Sequence, residues 1–182
     1  MRKSVLALSL LAAVIPALNG CQSPPRTEAG KEKLSENSSS ALARLNREDS
    51  SFAGFVEKAH GYVIFPTVGK GGLIVGGAYG HGEVFEQGRQ VGYAELTQAS
   101  IGLQAGGQEY TEVIVFEDAA ALNRFKSGKF TFAAQASAVA LKSGASANAK
   151  YTEGVAIFTK AVGGLMAEAS IGGQKFSYQP LP

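Results

Sequence analysis

Cysteine, histidine and clustered basic residues are scarce in this sequence. Its 182 residues include one cysteine, Cys21, and two histidines, His60 and His81. A single cysteine excludes a disulfide framework and a cysteine-rich metal centre. Nowhere do lysines and arginines run together with interleaved aromatic residues, which is the pattern of nucleic-acid-binding surfaces. We therefore expect no nucleic-acid partner.

The motifs of the common nucleotide and catalytic sites are also missing. The stretch GKGGLIVGGAYGHGEVF, residues 69–85, contains neither GxGxxG nor GxxxxGK[S/T], and strand and turn patterns follow it instead of a phosphate-binding helix. Ser100 lacks the glycine-flanked elbow of serine hydrolases. His81 and Glu83 share one side of a strand, but two ligands do not make a metal site, and a solvated hairpin end is the favoured interpretation.

The glutamates of the same region show no spacing that brings two of them together for acid and base catalysis. We interpret most of them as solvent-facing residues; they are Glu83, Glu86, Glu95, Glu109, Glu112 and Glu117. The sequence therefore predicts no catalytic residues, no metal and no cofactor, and it favours a non-enzymatic protein.

The first twenty residues have the pattern of a secretory signal. Arg2 and Lys3 precede the apolar run VLALSLLAAVIPAL, which is too short to span a membrane comfortably. Residues 18–21, LNGC, resemble the lipobox of bacterial lipoproteins. This resemblance implies that residues 1–20 are removed and that Cys21 becomes an acylated amino terminus carrying palmitate-like chains. The alternative is a secreted protein with a free thiol.

Two or three acyl chains hold a protein firmly on a membrane. Gln22 follows the cysteine where Asp is associated with inner-membrane retention, so the resemblance implies the outer membrane, facing the periplasm. Without Arg2 and Lys3 the mature chain has 15 basic and 15 acidic residues and no net charge. Residues 21–40 are rich in Pro, Ser, Glu and Lys, which predicts a lipidated, flexible tether that holds the folded domain, residues 41–182, about 20–25 Å from the lipid.

Three helices are predicted in the folded part. The first lies in SSSALARLNRE with a serine N-cap, and the second follows Asp49 or Ser50. The third is EDAAALNRFKSG, with Asp118 as its N-cap and Gly128 near its end. The second helix presents an apolar stripe of Phe52, Phe55, Val56 and Ala59. We expect the first two helices to cover a sheet.

Strand patterns fill the rest of the chain. YVIF is a short strand that ends at Pro66. EVIVF has no polar residue after Glu112, which suits a central strand buried on both faces. Further strand patterns are ASIGLQAGG, KFTFAAQASAVAL, ASANAKY, GVAIF, GLMAEASI and QKFSY. Bulges and strong curvature are predicted at Gly71, Gly72, Gly76, Gly77, Gly80 and Gly82. The fold class is α+β: a predominantly antiparallel, strongly curved, glycine-rich β-sheet with a few short covering helices.

Three stretches in this order resemble the SYLF domain: KAHGYVIFPTVGKGGLIVGGAYGHGEVF, SIGLQAGGQ and FEDAAALNRFKSGKF. The resemblance runs from about Ala41 to the end of the chain. Eukaryotic members bind phosphoinositide-containing membranes, fungal members also bind actin, and bacterial members are commonly lipoproteins. The resemblance therefore implies a phospholipid membrane as the partner. Actin is not expected, because an exported protein meets none in its own cell.

Four basic residues are predicted to contact lipid phosphates. Lys58 and Lys70 flank the first strand, and Arg44 and Arg47 lie on the first helix. The alternative for each of them is an ordinary solvated side chain. A second function also stays open, namely a periplasmic carrier or enzyme with an apolar pocket in the curved sheet, as does an unidentified protein partner in the envelope.

Overall fold

The computed structural model describes residues 25, 27–72, 75–101, 107–128, 130, 138–163 and 173–182. The predicted signal segment, Cys21, the pattern GLMAEASI and most of KFTFAAQASAVAL lie outside these residues. The helices are α1 Glu28–Glu48, α2 Ser50–Glu57 and α3 Ala119–Lys126, with a 3-10 turn at Ser146–Asn148. The strands are β1 Gly61–Gly72, β2 Val75–Glu86, β3 Arg89–Ile101, β4 Gly107–Phe116, β5 Val139–Ala140, β6 Val155–Gly163 and β7 Gln174–Pro180.

The strands form one sheet in the order β5-β6-β4-β1-β2-β3-β7. Every pair is antiparallel except β5 with β6. One face packs against α1 and α2 through a core that includes Leu45, Phe52 and Phe158, and the other face packs against α3 through Phe125. The predicted α+β class and the mostly antiparallel sheet are confirmed.

The sheet curls so strongly that non-adjacent strands meet across one face. Two strands separate β1 from β7, yet the ring centroids of Phe65 and Phe176 lie 5.9 Å apart. We call this the concave face, and the face under α1 and α2 the convex face. Glycine on β2 permits the packing, because a Cβ at Gly82 would lie 2.7 Å from Phe65 Cδ1 and 2.6 Å from the Ile64 carbonyl oxygen. The predicted role of such glycines in shaping the sheet is confirmed here.

Several local predictions are confirmed. EVIVF lies in β4, whose residues Val113, Ile114, Val115 and Phe116 are fully buried. Asp49 caps α2 by accepting a hydrogen bond from Ser51 N, and Asp118 caps α3 by accepting one from Ala121 N. A carboxylate in these positions satisfies an amide that has no partner within the helix.

The predicted tether is wrong for residues 28–40, because they form the first half of α1. This helix has 21 residues, so not every covering helix is short, and its N-cap is Thr27 instead of a later serine. Leu34, Ser38, Ala41 and Leu45 are its buried residues, spaced four, three and four apart on one side. Packing of this side against the sheet outweighs the poor helix propensity of the serines.

Pro66 does not end the first strand. The pairing of β1 with both neighbours shifts register around it, which identifies a bulge between Ile64 and Val68. A bulge tolerates the missing N–H of proline. It also places Phe65 and Val68 in the same core although they are three residues apart.

ASANAKY is not a strand but contains the 3-10 turn. Gly144, with φ of +76°, precedes the turn, and Asp49 Oδ2 accepts a hydrogen bond of 2.7 Å from Ser146 N. The alternation of alanine with polar residues was misleading, because alanine has little preference for strands.

Candidate ligand site on the concave face

A row of polar side chains crosses one end of the concave face. Lys70 on β1 lies between Gln108 on β4 and Ala78 on β2, with which it pairs across the sheet. Beyond Ala78 the row continues through Gln98 on β3 to Gln174 on β7. Residues that are paired directly across strands share a face. Val68, two residues before Lys70, belongs to the concave core, so the row lies on that face. We call it the polar row.

Lys70 is the only cation of the polar row, and it is 9% exposed. None of the ion pairs within 4.0 Å among the described residues includes it. Burial lowers the pKa of Lys70, because desolvation disfavours the charged form. A largely buried lysine that has no carboxylate within 4.0 Å among the described residues gives this end of the sheet a preference for an anion.

Lys70 opens onto a recess of about 570 Å³. The other lining residues are Gly69, Gly107, Gln108, Glu109 and Gly163. Glycines leave room for a ligand to approach the backbone closely. Among the described lining residues none has a large apolar side chain, and Lys70 and Gln108 bring polar groups to the recess, so it can take a charged group.

A neutral cluster lies next to the polar row. Gln174 Nε2 donates a hydrogen bond of 2.9 Å to Glu112 Oε2 and one of 3.3 Å to the Tyr110 hydroxyl. Burial raises the pKa of the fully covered Glu112 to about 8, and the hydrogen bond from Gln174 opposes this shift only in part. Glu112 is therefore mostly protonated at neutral pH and does not cancel the charge of Lys70.

The solvent-facing interpretation of Glu112 is wrong, and it is also wrong for Glu83 and Glu95, which are 1% and 5% exposed. His81 and Glu83 are not a solvated hairpin end. The Tyr79 hydroxyl lies 2.9 Å from His81 Nε2, while Glu83 Oε1 accepts a hydrogen bond of 2.9 Å from Gln90 Nε2. In the part of the chain that the structure describes, no three His, Cys, Asp or Glu side chains form a cluster that could hold a metal.

The two predicted lysines do not come together. Lys58 follows α2 at the Gly61 end of β1 and is exposed, whereas Lys70 is near the other end. At about 3.3 Å per residue, roughly 30 Å of strand lies between Gly61 and Lys70. Lys58 lines a different recess of about 400 Å³, beside Phe55 and Tyr151. One headgroup cannot contact both lysines.

The arginines are placed on the other side of the sheet. Arg44 Nη2 donates a hydrogen bond of 2.7 Å to Thr111 Oγ1, which itself donates to the Pro66 carbonyl oxygen. Arg44 therefore fastens α1 to the bulge of β1. Arg47 is exposed in the last turn of α1. The structure leaves Lys70 as the predicted lipid-contact residue with a recess beside it on the concave face.

None of the helices that the structure describes is long and apolar enough to cross a membrane.

Two comparisons with known proteins bear on this geometry. Residues 97–179 match the family model described as "Ysc84: Las17-binding protein actin regulator". The chain is also similar to "Beta cell expansion factor A" of Aeromonas veronii, with 30% identity over 169 residues. The matched region is 91% of this chain and 64% of the relative. The chain therefore spans less than two thirds of the length of this relative.

Proposed function

The chain belongs to the SYLF-domain family, and on this basis we propose that it is a non-enzymatic phospholipid-binding protein whose recess at Lys70 takes the phosphate of a lipid headgroup. Cys21 carries acyl chains in this proposal and holds the protein on the periplasmic side of a bacterial outer membrane. The bilayer is then both the anchor and the ligand. Actin is not proposed as a partner, because the same signal segment exports the chain.

The observation that carries the proposal is Lys70, which is largely buried, opens onto the recess and is in no ion pair among the described residues. An exposed lysine near an anionic surface contributes only about 1 kcal/mol to membrane binding. A charge-assisted hydrogen bond from a covered ammonium to a phosphate oxygen is worth about 1.5–3 kcal/mol. It is also less screened by salt, because screening acts most strongly on exposed charges. Lys70 is therefore expected to outweigh Lys58 and Arg47.

The test is vesicle co-sedimentation of the Cys21→Ser chain, which cannot form the thioether. We compare Lys70→Gln with Lys175→Gln, because Lys175 is an exposed lysine on β7 next to Gln174, with no ion pair among the described residues. Lys70→Gln should weaken binding to anionic vesicles about tenfold or more, and Lys175→Gln by no more than about fivefold. Equal losses in the two variants would reject the recess and leave only general surface charge.

Lipid profiling distinguishes this proposal from a carrier of whole lipids. A headgroup site exchanges its ligand, so the Cys21→Ser chain should be purified without stoichiometric lipid. Retention of one lipid per chain would favour the apolar pocket of a carrier instead. The lining of the recess, with its glycines and its polar side chains, favours the headgroup site.

A further inference from the structure

A second recess lies on the convex face, between α1 and strands β2 and β3. Its volume is about 340 Å³, and we call it the α1 groove. Its lining residues come from α1, β2 and β3; they are Glu28, Lys31, Glu32, Ser35, Glu83, Gln90 and Tyr93. Glu83 is adjacent to Val84 of the concave core, so its side chain points to the opposite face from the polar row. The α1 groove is therefore separate from the Lys70 recess.

Glu83 is the buried charge of the α1 groove. Its Oε1 accepts the hydrogen bond from Gln90, its Oε2 is buried, and the Ser38 hydroxyl interacts with the same carboxylate as a neutral donor. No lysine or arginine of the described chain forms an ion pair with it. Burial raises the pKa of Glu83, and the hydrogen bonds from Ser38 and Gln90 oppose this shift only in part. A carboxylate covered in this way lacks the cation that normally accompanies a buried charge.

Tyr93 provides an aromatic wall in the same groove, and it already holds an ammonium. Lys31 Nζ lies 5.9 Å from the centroid of the Tyr93 ring and 2.8 Å from Glu28 Oε1. An ammonium within about 6 Å of an aromatic face is attracted by the ring. Lys31 therefore occupies a place where an external ammonium would be stable.

The surroundings strengthen the preference for a cation. Glu28, Glu32 and Glu83 line the groove against the single ammonium of Lys31. Glu95 lies two residues after Tyr93 on β3, so it points to the same face of the sheet. It is 5% exposed and is in no ion pair among the described residues. A metal ion would need more ligands than the described His, Cys, Asp and Glu residues bring together. The Glu83 carboxylate beside an aromatic ring suits an organic ammonium instead.

We propose that the α1 groove binds the ammonium group of an amine ligand, with Glu83 as its counter-ion and Tyr93 as its aromatic wall. The ammonium comes either from a small soluble amine or from the amine headgroup of a lipid. In both cases it places a positive charge beside the Glu83 carboxylate, which has no cation of its own among the described residues. The groove is too small and too polar for the remainder of a lipid, which stays outside it.

The first test is titration of the Cys21→Ser full chain with ethanolamine, followed through the amide NMR signals of Gln90 and Tyr93. Glu83→Gln keeps the shape of the side chain and its hydrogen bond from Gln90, and it should weaken binding about tenfold or more. Glu36→Gln is the control, because Glu36 is exposed on α1 and is not among the groove residues. Equal affinity of wild type and Glu83→Gln would overturn the proposal.

A second variant keeps the test valid if Glu83→Gln does not fold. Lys31→Gln removes the internal ammonium from the Tyr93 ring and should strengthen ethanolamine binding about two- to fivefold, the reverse of a damaged site. Lys33→Gln is the matched control, because it makes the same charge change at an exposed position on α1. An equal gain in both variants would reduce the effect to overall charge and overturn the proposal.

The source of the ammonium is decided by a parallel arm with phosphatidylethanolamine vesicles. Glu83-dependent binding of free ethanolamine supports a soluble amine as the ligand. Glu83-dependent binding to the vesicles alone supports a lipid headgroup. The absence of any Glu83-dependent binding in both arms would overturn the proposal.

Discussion

Replacing Glu112 by Gln should make the protein much less sensitive to alkaline pH. Glu112 is fully buried on β4, and burial raises its pKa from 4.5 to about 8. Because the folded state holds this proton more tightly than the unfolded state, stability is highest below pH 4.5. It is lost progressively as the pH rises toward 8. Gln keeps the size of the side chain and cannot titrate.

The magnitude follows from the shift. One pKa unit corresponds to 1.36 kcal/mol, so a shift of about 3.5 units gives about 5 kcal/mol between pH 4.5 and pH 8. This is an upper value, since water that enters the site when the carboxylate ionises reduces the cost. A typical domain has only about 5–15 kcal/mol of stability. Even half of the effect is therefore measurable.

The assay is urea unfolding at 25 °C in steps from pH 5 to pH 9, for the Cys21→Ser chain with and without Glu112→Gln. Other groups whose pKa values are shifted are present in both proteins, so their contributions to stability cancel in the difference. They include Glu83, with a raised pKa, and His81 and Lys70, with lowered pKa values. Glu112→Gln should gain relative stability by at least about 2 kcal/mol between pH 5 and pH 8. Parallel stability curves would refute the assigned burial of this carboxyl.

Three further predictions concern packing, anchoring and capping. Gly82→Val should lower the free energy of unfolding by more than about 3 kcal/mol, because the new side chain meets the Phe65 ring. Gly69→Ala has open space around its Cβ and should cost about 1 kcal/mol or less, so equal thermal midpoints of the two variants would contradict this. The Cys21→Ser precursor should lose acyl labelling and leave the membrane fraction, and unchanged labelling and fractionation would refute the lipid anchor. Asp49→Ala should lower the free energy of unfolding by about 2–3 kcal/mol at pH 7, because it removes the cap of α2 and the hydrogen bond to the 3-10 turn. The loss should shrink as the pH falls below 3.8, since hydrogen bonds hold the pKa of Asp49 low in the fold despite its burial. A pH-independent loss in urea unfolding would count against this prediction.

The features that the sequence predicts well are those with a strong local signal. Asp49 and Asp118 stand at the starts of apolar helix patterns, and the unbroken apolar run that follows Glu112 in EVIVF leaves no polar face. The beginning of α1 was missed because its serines and charged residues indicate a tether by composition. The spacing of Leu34, Ala41 and Leu45 was the signal that could have revealed the helix.

The candidate site was predicted only in part, because pairing between distant strands builds it. Lys70 could be singled out by its position beside the first strand. Its neighbours Gln98 and Gln174 are brought to the same row by the β3–β7 register, which no local pattern encodes. Glu112 could not be recognised as buried, because it meets Gln174 only when the sheet curls.

The claim that Lys70 binds a headgroup phosphate is tested most directly by calorimetry with a soluble, short-chain anionic phospholipid below its micelle concentration. No membrane surface is present in this measurement, so general attraction of basic residues to a bilayer does not contribute. Wild type should bind one molecule per chain, Lys70→Gln should bind at least about tenfold more weakly, and Lys175→Gln should bind like wild type. Equal affinity in wild type and Lys70→Gln, with both variants folded, would contradict the account.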